Sequence, residues 1–182
     1  MDPNLSYTLN TRYPRCPPFQ FSFNWKIIST MNFLFSLLGA FIGNAVLIAV
    51  FFKRYAQLRS PVNCFIVNMA VSDLFVPFFV FPRRLQEIHL GWGAWLVPGT
   101  FGDMLCKTVH FADEVSVAVS MQSMVFIAVE RWWSIIFPMK PALISQQSTP
   151  RFIAFTWIFA VIFFFYYLFA YKLRHKDRKP YC

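Results

Sequence analysis

Hydrophobic residues along this chain do not alternate with polar ones or recur at a single amphipathic spacing. They gather in four blocks, roughly 27 to 52, 62 to 82, 108 to 129 and 152 to 171. A helix rises 1.5 Å per residue, so about 20 apolar residues cross about 30 Å of hydrocarbon, and each block predicts one membrane-spanning helix. Pro61 is placed to open the second helix at its first turn. Pro77 and Pro82, which would break a soluble helix, predict kinks in a membrane bundle, where neighbouring helices satisfy the freed carbonyls. Short polar connections separate the blocks. Residues 53–59 form a basic link suited to an antiparallel helix pair, and residues 131–151, with Pro138, Pro141 and Pro150, join the third block to the fourth.

Composition supports the same reading. Of the 182 residues 57% are hydrophobic, 14% are charged and 24 are Phe, which excludes a water-soluble enzyme, a disulfide scaffold and a disordered tail. The formal charge of +9 does not point to nucleic acid, because the 17 Lys and Arg lie almost entirely between and beyond the apolar blocks, where membrane-flanking charge belongs. Membrane lipid is the expected surrounding. Cys16, Cys64, Cys106 and Cys182 have no metal-ligand spacing with His89, His110 or His175. No catalytic residue is assigned, and the chain is expected not to be an enzyme. Residues 1–26 read as an extramembrane tail without a cleavable signal pattern, containing the sequon Asn4-Leu5-Ser6. Charge leaves orientation open: the connections 53–59 and 131–151 hold six basic residues, whereas the other side holds eleven, five of them in the terminal segment.

Polar groups inside the blocks are the first candidates for function, because an aspartate at a helix centre costs about 2.5–3.5 kcal/mol on insertion scales. Asp73 lies near the middle of the second block, with Asn44 and Ser120 near the middles of the first and third. A carboxylate, an amide and a hydroxyl at one depth suit a hydrated or sodium-binding pocket, since hard cations take oxygen ligands. The alternative is three separate polar contacts between helices. In the third block Asp113, Ser116, Ser120, Ser123, Ile127 and Arg131 recur every three or four residues and predict one stripe facing the bundle interior. Asp113 and Arg131 are about 27 Å apart along such a helix, so they lie at opposite surfaces. Glu130 beside Arg131 is suited to a switchable ion pair; the plainer reading is snorkelling charge in an aromatic belt with Trp132 and Trp133.

Taken together, these residues resemble the rhodopsin-like (class A) G-protein-coupled receptors from about Lys26 to Cys182. Gly43-Asn44-Ala45-Val46 is similar to the first-helix motif, and Asn68-Met69-Ala70-Val71-Ser72-Asp73-Leu74 to the second, followed by Pro82. Cys106 opens the third helix, and Glu130-Arg131-Trp132 comes 25 residues later in place of Asp-Arg-Tyr, with Pro138 after it and Trp157 in the fourth helix. Departures are Trp132 for Tyr, no fourth-helix proline, and no helices five to seven.

The resemblance implies an all-α membrane protein, with four transmembrane helices of a seven-helix bundle truncated after the fourth. Residues 1–26 would be the extracellular tail, 27–171 the helices and 172–182 the start of the second extracellular loop. It implies a plasma-membrane location, glycosylation at Asn4, a disulfide between Cys106 and Cys182, and an allosteric sodium site at Asn44, Asp73 and Ser120. No other cofactor is expected. Glu130, Arg131 and Trp132 would form the switch toward a heterotrimeric G protein. The ligand would meet Asp113, Glu114 and Val117. Amine receptors carry an acid at the position of Asp113, whereas Val115 to Ser120 and Leu105-Cys106-Lys107 look more like neuropeptide receptors; a peptide is favoured, an amine remains the alternative. A four-helix protein with a regulatory or structural role is the other reading. As written to residue 182, the chain is expected not to signal alone, and the stripe of Asp113, Ser116, Ser120 and Ser123 to lack facing helices.

Overall fold

The computed structural model describes residues 22–91, 93–176 and 179–182. Its elements are α1 (Phe23–Lys53), α2 (Tyr55–Leu58), α3 (Pro61–Asp73), α4 (Phe75–Leu90), α5 (Gly99–Ile136), α6 (Thr149–Phe164), α7 (Tyr167–Ala170), β1 (Arg174–Lys176) and β2 (Lys179–Tyr181). Four spans are long and apolar enough to cross a bilayer: Phe23–Lys53, Pro61–Leu90, Gly99–Ile136 and Thr149–Ala170. They match the four sequence blocks and extend them. The first begins at Phe23, inside the expected tail, and the second runs well past Pro82.

Local chemistry sets the ends. Ser22 caps α1 by accepting the Trp25 amide at 3.4 Å, and Ser60 caps α3 by accepting the Asn63 amide at 3.2 Å, with Pro61 in the first turn. The second span is interrupted at Leu74, between α3 and α4. Pro77 has no N–H to offer the Asp73 carbonyl four residues back, and the break falls there. Pro82 is accommodated inside α4, which ends at Gly91 with φ 102°. Gly102 is buried where the preceding loop crosses α5, and a methyl group there would collide with the Val97 carbonyl.

The third span is the centre of the bundle: α5 packs on α3, α4 and α6, while α1 lies against α3 and α4. Its interior is not a block of large apolar residues. Asn68, Ser72, Ser116, Ser123 and Thr156 are buried, while Phe35, Ile135 and Ile162 stand more than 70% exposed on the outside. Small and hydroxylic residues let helices approach closely and bond across the contact, whereas lipid tails accept large apolar side chains without penalty. Two apolar clusters complete the packing. Val115, Val119 and Ala160 join the third and fourth spans with Trp157 and Phe164, and Trp95, Cys106 and Val109 form a cap with Phe79, Tyr171 and Leu173.

The segment after the fourth span folds back on that cap. β1 and β2 pair antiparallel, with Arg174 opposite Tyr181 and Lys176 opposite Lys179. This small hairpin is an addition to the expected all-helical architecture. The Leu173 amide donates to Asp103 at 2.8 Å, and the Cys182 amide donates to the Gly93 carbonyl at 2.9 Å.

Candidate functional site

Polar groups occupy successive depths through the bundle. On the face where α1 begins, the Cys106–Cys182 disulfide joins the start of α5 to the end of the hairpin. His110 lies beside it, with Nδ1 2.8 Å from the Cys106 carbonyl and its ring stacked 4.0 Å from Tyr171. The Cys106 and Cys182 sulfurs and a His110 nitrogen lie within 4.8 Å of one another, but the disulfide consumes both thiolates that a metal would need.

Slightly deeper, Arg83 bridges the second and third spans. Its Nη1 donates to Glu87 at 3.1 Å and its Nη2 to Asp113 at 3.1 Å, while Arg84 meets the other oxygen of Glu87 at 2.9 Å. The Arg83 side chain retains only 10% exposure and the Asp113 side chain 23%. Arg83 Nε is buried and has no hydrogen-bond partner among the described residues. Glu114, one residue beyond Asp113, is half-buried and makes no ion pair or hydrogen bond among the described residues. Val117 points outward at 48% exposure. Asp113 and Glu114 therefore differ in kind: one carboxylate is committed to a guanidinium, the other is not.

The middle layer centres on Asp73. Ser120 donates to Asp73 Oδ1 at 2.6 Å, Ser72 and Ser120 hydroxyls lie 2.7 Å apart, and Ser116 donates to the Ser72 carbonyl at 2.8 Å. A hydroxyl has one proton: Ser120 gives its proton to Asp73, and the single Ser72 proton is shared between the Met69 carbonyl at 2.8 Å and Ser120. Asn44 is half-buried and makes no hydrogen bond among the described residues. Of the expected trio, Asp73 and Ser120 are bonded to each other, with Ser72 against Ser120. These oxygens fit a hard cation.

One turn further, Asn68 Nδ2 donates to Ser123 at 2.9 Å and to Thr156 at 3.3 Å, and Trp157 Nε1 donates to Asn68 Oδ1 at 2.9 Å. The expectation that the Asp113, Ser116, Ser120 and Ser123 stripe lacks facing helices is therefore corrected. Every member bonds to the second span, at Arg83, Ser72, Asp73 and Asn68 respectively.

At the opposite face Glu130 is buried, and its Oε2 accepts the Ile144 amide at 3.0 Å. Of the two readings of Glu130 and Arg131, the ion pair does not form among the described residues. A buried backbone N–H needs an acceptor, and Glu130 supplies it. Arg131 is exposed, as is Trp132 at 58%, and Trp133 Nε1 donates to the Pro141 carbonyl at 3.1 Å. Asn4 lies outside the described residues. Sequence reasoning missed Arg83, Glu87, Asn68 and Thr156 as site members. Arg83 and Glu87 had a visible signal, an i,i+4 pair just beyond Pro82, but only if the helix continued past that proline.

Comparison with known proteins agrees with this geometry. Residues 43–182 match the family model described as 7 transmembrane receptor (rhodopsin family). The QRFP-like peptide receptor of Branchiostoma floridae is 30% identical over 137 residues, 75% of this chain and 34% of that protein. Neuropeptide receptor 22 of Caenorhabditis elegans is 31% identical over 140 residues, 75% of this chain and 31% of that protein. Prokineticin receptor 1 of Bos taurus is 30% identical over 137 residues, 75% of this chain and 33% of that protein. The chain thus spans about a third of the length of the curated relatives it matches. With four membrane spans, a disulfide-tied cap and a polar core shared by the second, third and fourth spans, the chain belongs to the rhodopsin family of seven-transmembrane receptors.

Proposed function

We propose that this chain is part of a peptide-activated, G-protein-coupled receptor of the plasma membrane, with the α1 end outside the cell. The ligand would enter at Asp113, Glu114 and Val117, and Glu130, Arg131 and Trp132 would face the G protein. The observation carrying the peptide reading is the Arg83–Asp113 ion pair at 3.1 Å. A small amine would have to take Asp113 from a buried guanidinium, and breaking a buried pair leaves an uncompensated charge. A peptide has enough contacts elsewhere to leave the pair intact, and the relatives named above include receptors for peptides. Redox chemistry supports this orientation: disulfides persist in oxidising compartments, which favours placing the face bearing Cys106–Cys182 outside. Asp73, Ser120 and Ser72, with Asn44 of the first span, would hold an allosteric sodium ion.

The test joins residues 1–182 to the fifth to seventh helices of prokineticin receptor 1, with residues 1–182 alone as control. Cells lacking related receptors are challenged with neuropeptides and biogenic amines, and G-protein activation is read. A peptide response from the joined chain and none from residues 1–182 alone is expected. A response to amines only would overturn the peptide reading.

A further inference from the structure

Cys106 and His110 are four residues apart on α5, so their side chains leave one face of the helix a single turn apart. Cys182 reaches the same point from the hairpin. Its position has anchors besides the disulfide: its amide donates to the Gly93 carbonyl at 2.9 Å, the Leu173 amide donates to Asp103 at 2.8 Å, and the Tyr171 ring stacks on His110 at 4.0 Å. Opening the sulfur–sulfur bond therefore leaves the two cysteines facing each other, on Cα atoms that stand 5.9 Å apart.

That geometry suits a second way of closing the cap. In a tetrahedral zinc site, with Zn–S of about 2.3 Å and Zn–N of about 2.0–2.1 Å, a sulfur and a nitrogen on the same metal stand about 3.5 Å apart and two sulfurs about 3.8 Å. Cys182 Sγ lies 3.6 Å from His110 Nδ1, and both sulfurs and a His110 nitrogen lie within 4.8 Å of one another. Only the sulfurs have to separate, by rotation of side chains that leaves the backbone in place. His110 Nδ1 would leave the Cys106 carbonyl, 2.8 Å away, which keeps the amide of its own helical turn as a partner. Two thiolates cancel the charge of a divalent cation, so the product is neutral inside a cap built from Trp95, Val109 and Leu173. Cys106 is fully buried, whereas His110 and Cys182 are half-buried and leave one side open to a water as fourth ligand.

We propose that Cys106, Cys182 and His110 form a metal site in the reduced chain, which takes a zinc-type divalent cation as the alternative to the disulfide. Two sulfurs and an imidazole in a tetrahedral set select zinc over calcium or magnesium, which take oxygen ligands. A dithiol supplies two electrons and two protons: the Cys106–Cys182 bond breaks to two thiols, and the dithiol closes to its own disulfide. The cation then replaces the two thiol protons, which pass to solvent. Bound in this way, it keeps Cys106 and Cys182 in register until they are oxidised. The site is independent of the peptide reading, because it involves neither Asp113 nor Glu114.

The test uses the full chain in nanodiscs of zwitterionic lipid, carrying Cys16→Ser and Cys64→Ser so that no other thiol contributes. The chain is reduced with a dithiol, freed of it by gel filtration under argon, and titrated with Co²⁺ and then Zn²⁺. The reduced chain should bind cobalt with a thiolate-to-metal charge-transfer band, and the oxidised chain should give no such band. Zinc added to the reduced, metal-free chain should release about two protons per cation bound. Zinc should also raise the unfolding temperature of the reduced chain and leave that of the oxidised chain unchanged. His110→Gln, which keeps a polar side chain without an imidazole, should weaken cobalt binding about tenfold or more, and Cys182→Ser should weaken it further. Absence of the charge-transfer band, equal cobalt affinity in His110→Gln, or a reduced chain that loses its helical fold in the presence of zinc overturns the proposal.

Discussion

Ser120 donates its hydroxyl to Asp73 Oδ1 at 2.6 Å, so the third span supplies a donor to the half-buried carboxylate of the second. The remaining oxygens, on Asp73 and on Ser72, stay available at the same depth. That arrangement predicts a graded response to substitution. Asp73→Asn keeps a hydrogen-bonding side chain and should preserve membrane expression, but should remove any difference in unfolding temperature between sodium chloride and choline chloride. Asp73→Leu should cost about 1–3 kcal/mol for each polar group left unsatisfied and reduce the folded yield. An undiminished sodium effect in Asp73→Asn would remove the cation from the proposal.

Asn68 gives a second, independent test, because one side chain serves three partners on two other spans. Asn68→Leu leaves Ser123, Thr156 and Trp157 Nε1 without it. Ser123 and Thr156 lose only a donor and still place their own protons on the Val119 and Ile153 carbonyls, so the indole N–H, left without an acceptor, is the group most affected. We expect a loss on the order of 2 kcal/mol in Asn68→Leu and about 1 kcal/mol in Trp157→Phe, which abandons a single acceptor. Denaturation in detergent of both variants and the double variant checks this; the double variant should cost clearly less than the sum, because the two residues share one bond.

How much of this was legible beforehand depends on which physical rule governs each residue. The four spans were visible because bilayer thickness sets a length that no soluble rule mimics. Asp73 and Ser120 were visible because polar groups in lipid are rare. The Asp113–Arg83 pair was not visible, because it depends on α4 continuing past Pro82, and a proline inside a run of apolar residues reads equally as a kink or an end. Ile144 was hidden for another reason: its partner bond to Glu130 joins a side chain to a backbone amide, which leaves no mark on residue type. The stripe on α5 showed its periodicity plainly, but periodicity does not say which neighbour covers it, and that neighbour is the second span.

The disulfide closes a loop of sequence separation 76 and ties the hairpin to the cap around Trp95 and Tyr171. Loop entropy alone would assign it about 4 kcal/mol, an upper figure here because membrane insertion already restrains the unfolded chain. Cys106→Ser should therefore lower stability by about 2 kcal/mol, and non-reducing peptide mapping of the unaltered chain should recover the Cys106 and Cys182 peptides joined. Recovery of Cys106 free, or joined to Cys16, would contradict the pairing.

Glu130 anchors the opposite face. Its buried carboxylate accepts the Ile144 amide at 3.0 Å, and Ile144 is itself only 4% exposed, so this bond pins the middle of the connection between the third and fourth spans. Arg131, next in sequence, is left exposed rather than held by its neighbour. Glu130→Ala removes the acceptor and leaves a backbone donor in a site that excludes water; about 1–3 kcal/mol should be lost locally. The connection, having few other anchors, should open more often, and Ile144 should exchange its amide hydrogen at least about tenfold faster. Glu130→Gln keeps an oxygen for the Ile144 amide and should stay within about threefold of the unaltered rate. Hydrogen exchange over residues 142–146 reads both variants at once. Equal protection in Glu130→Ala and the unaltered chain would mean that packing of Ile144, and not the carboxylate, holds the connection in place.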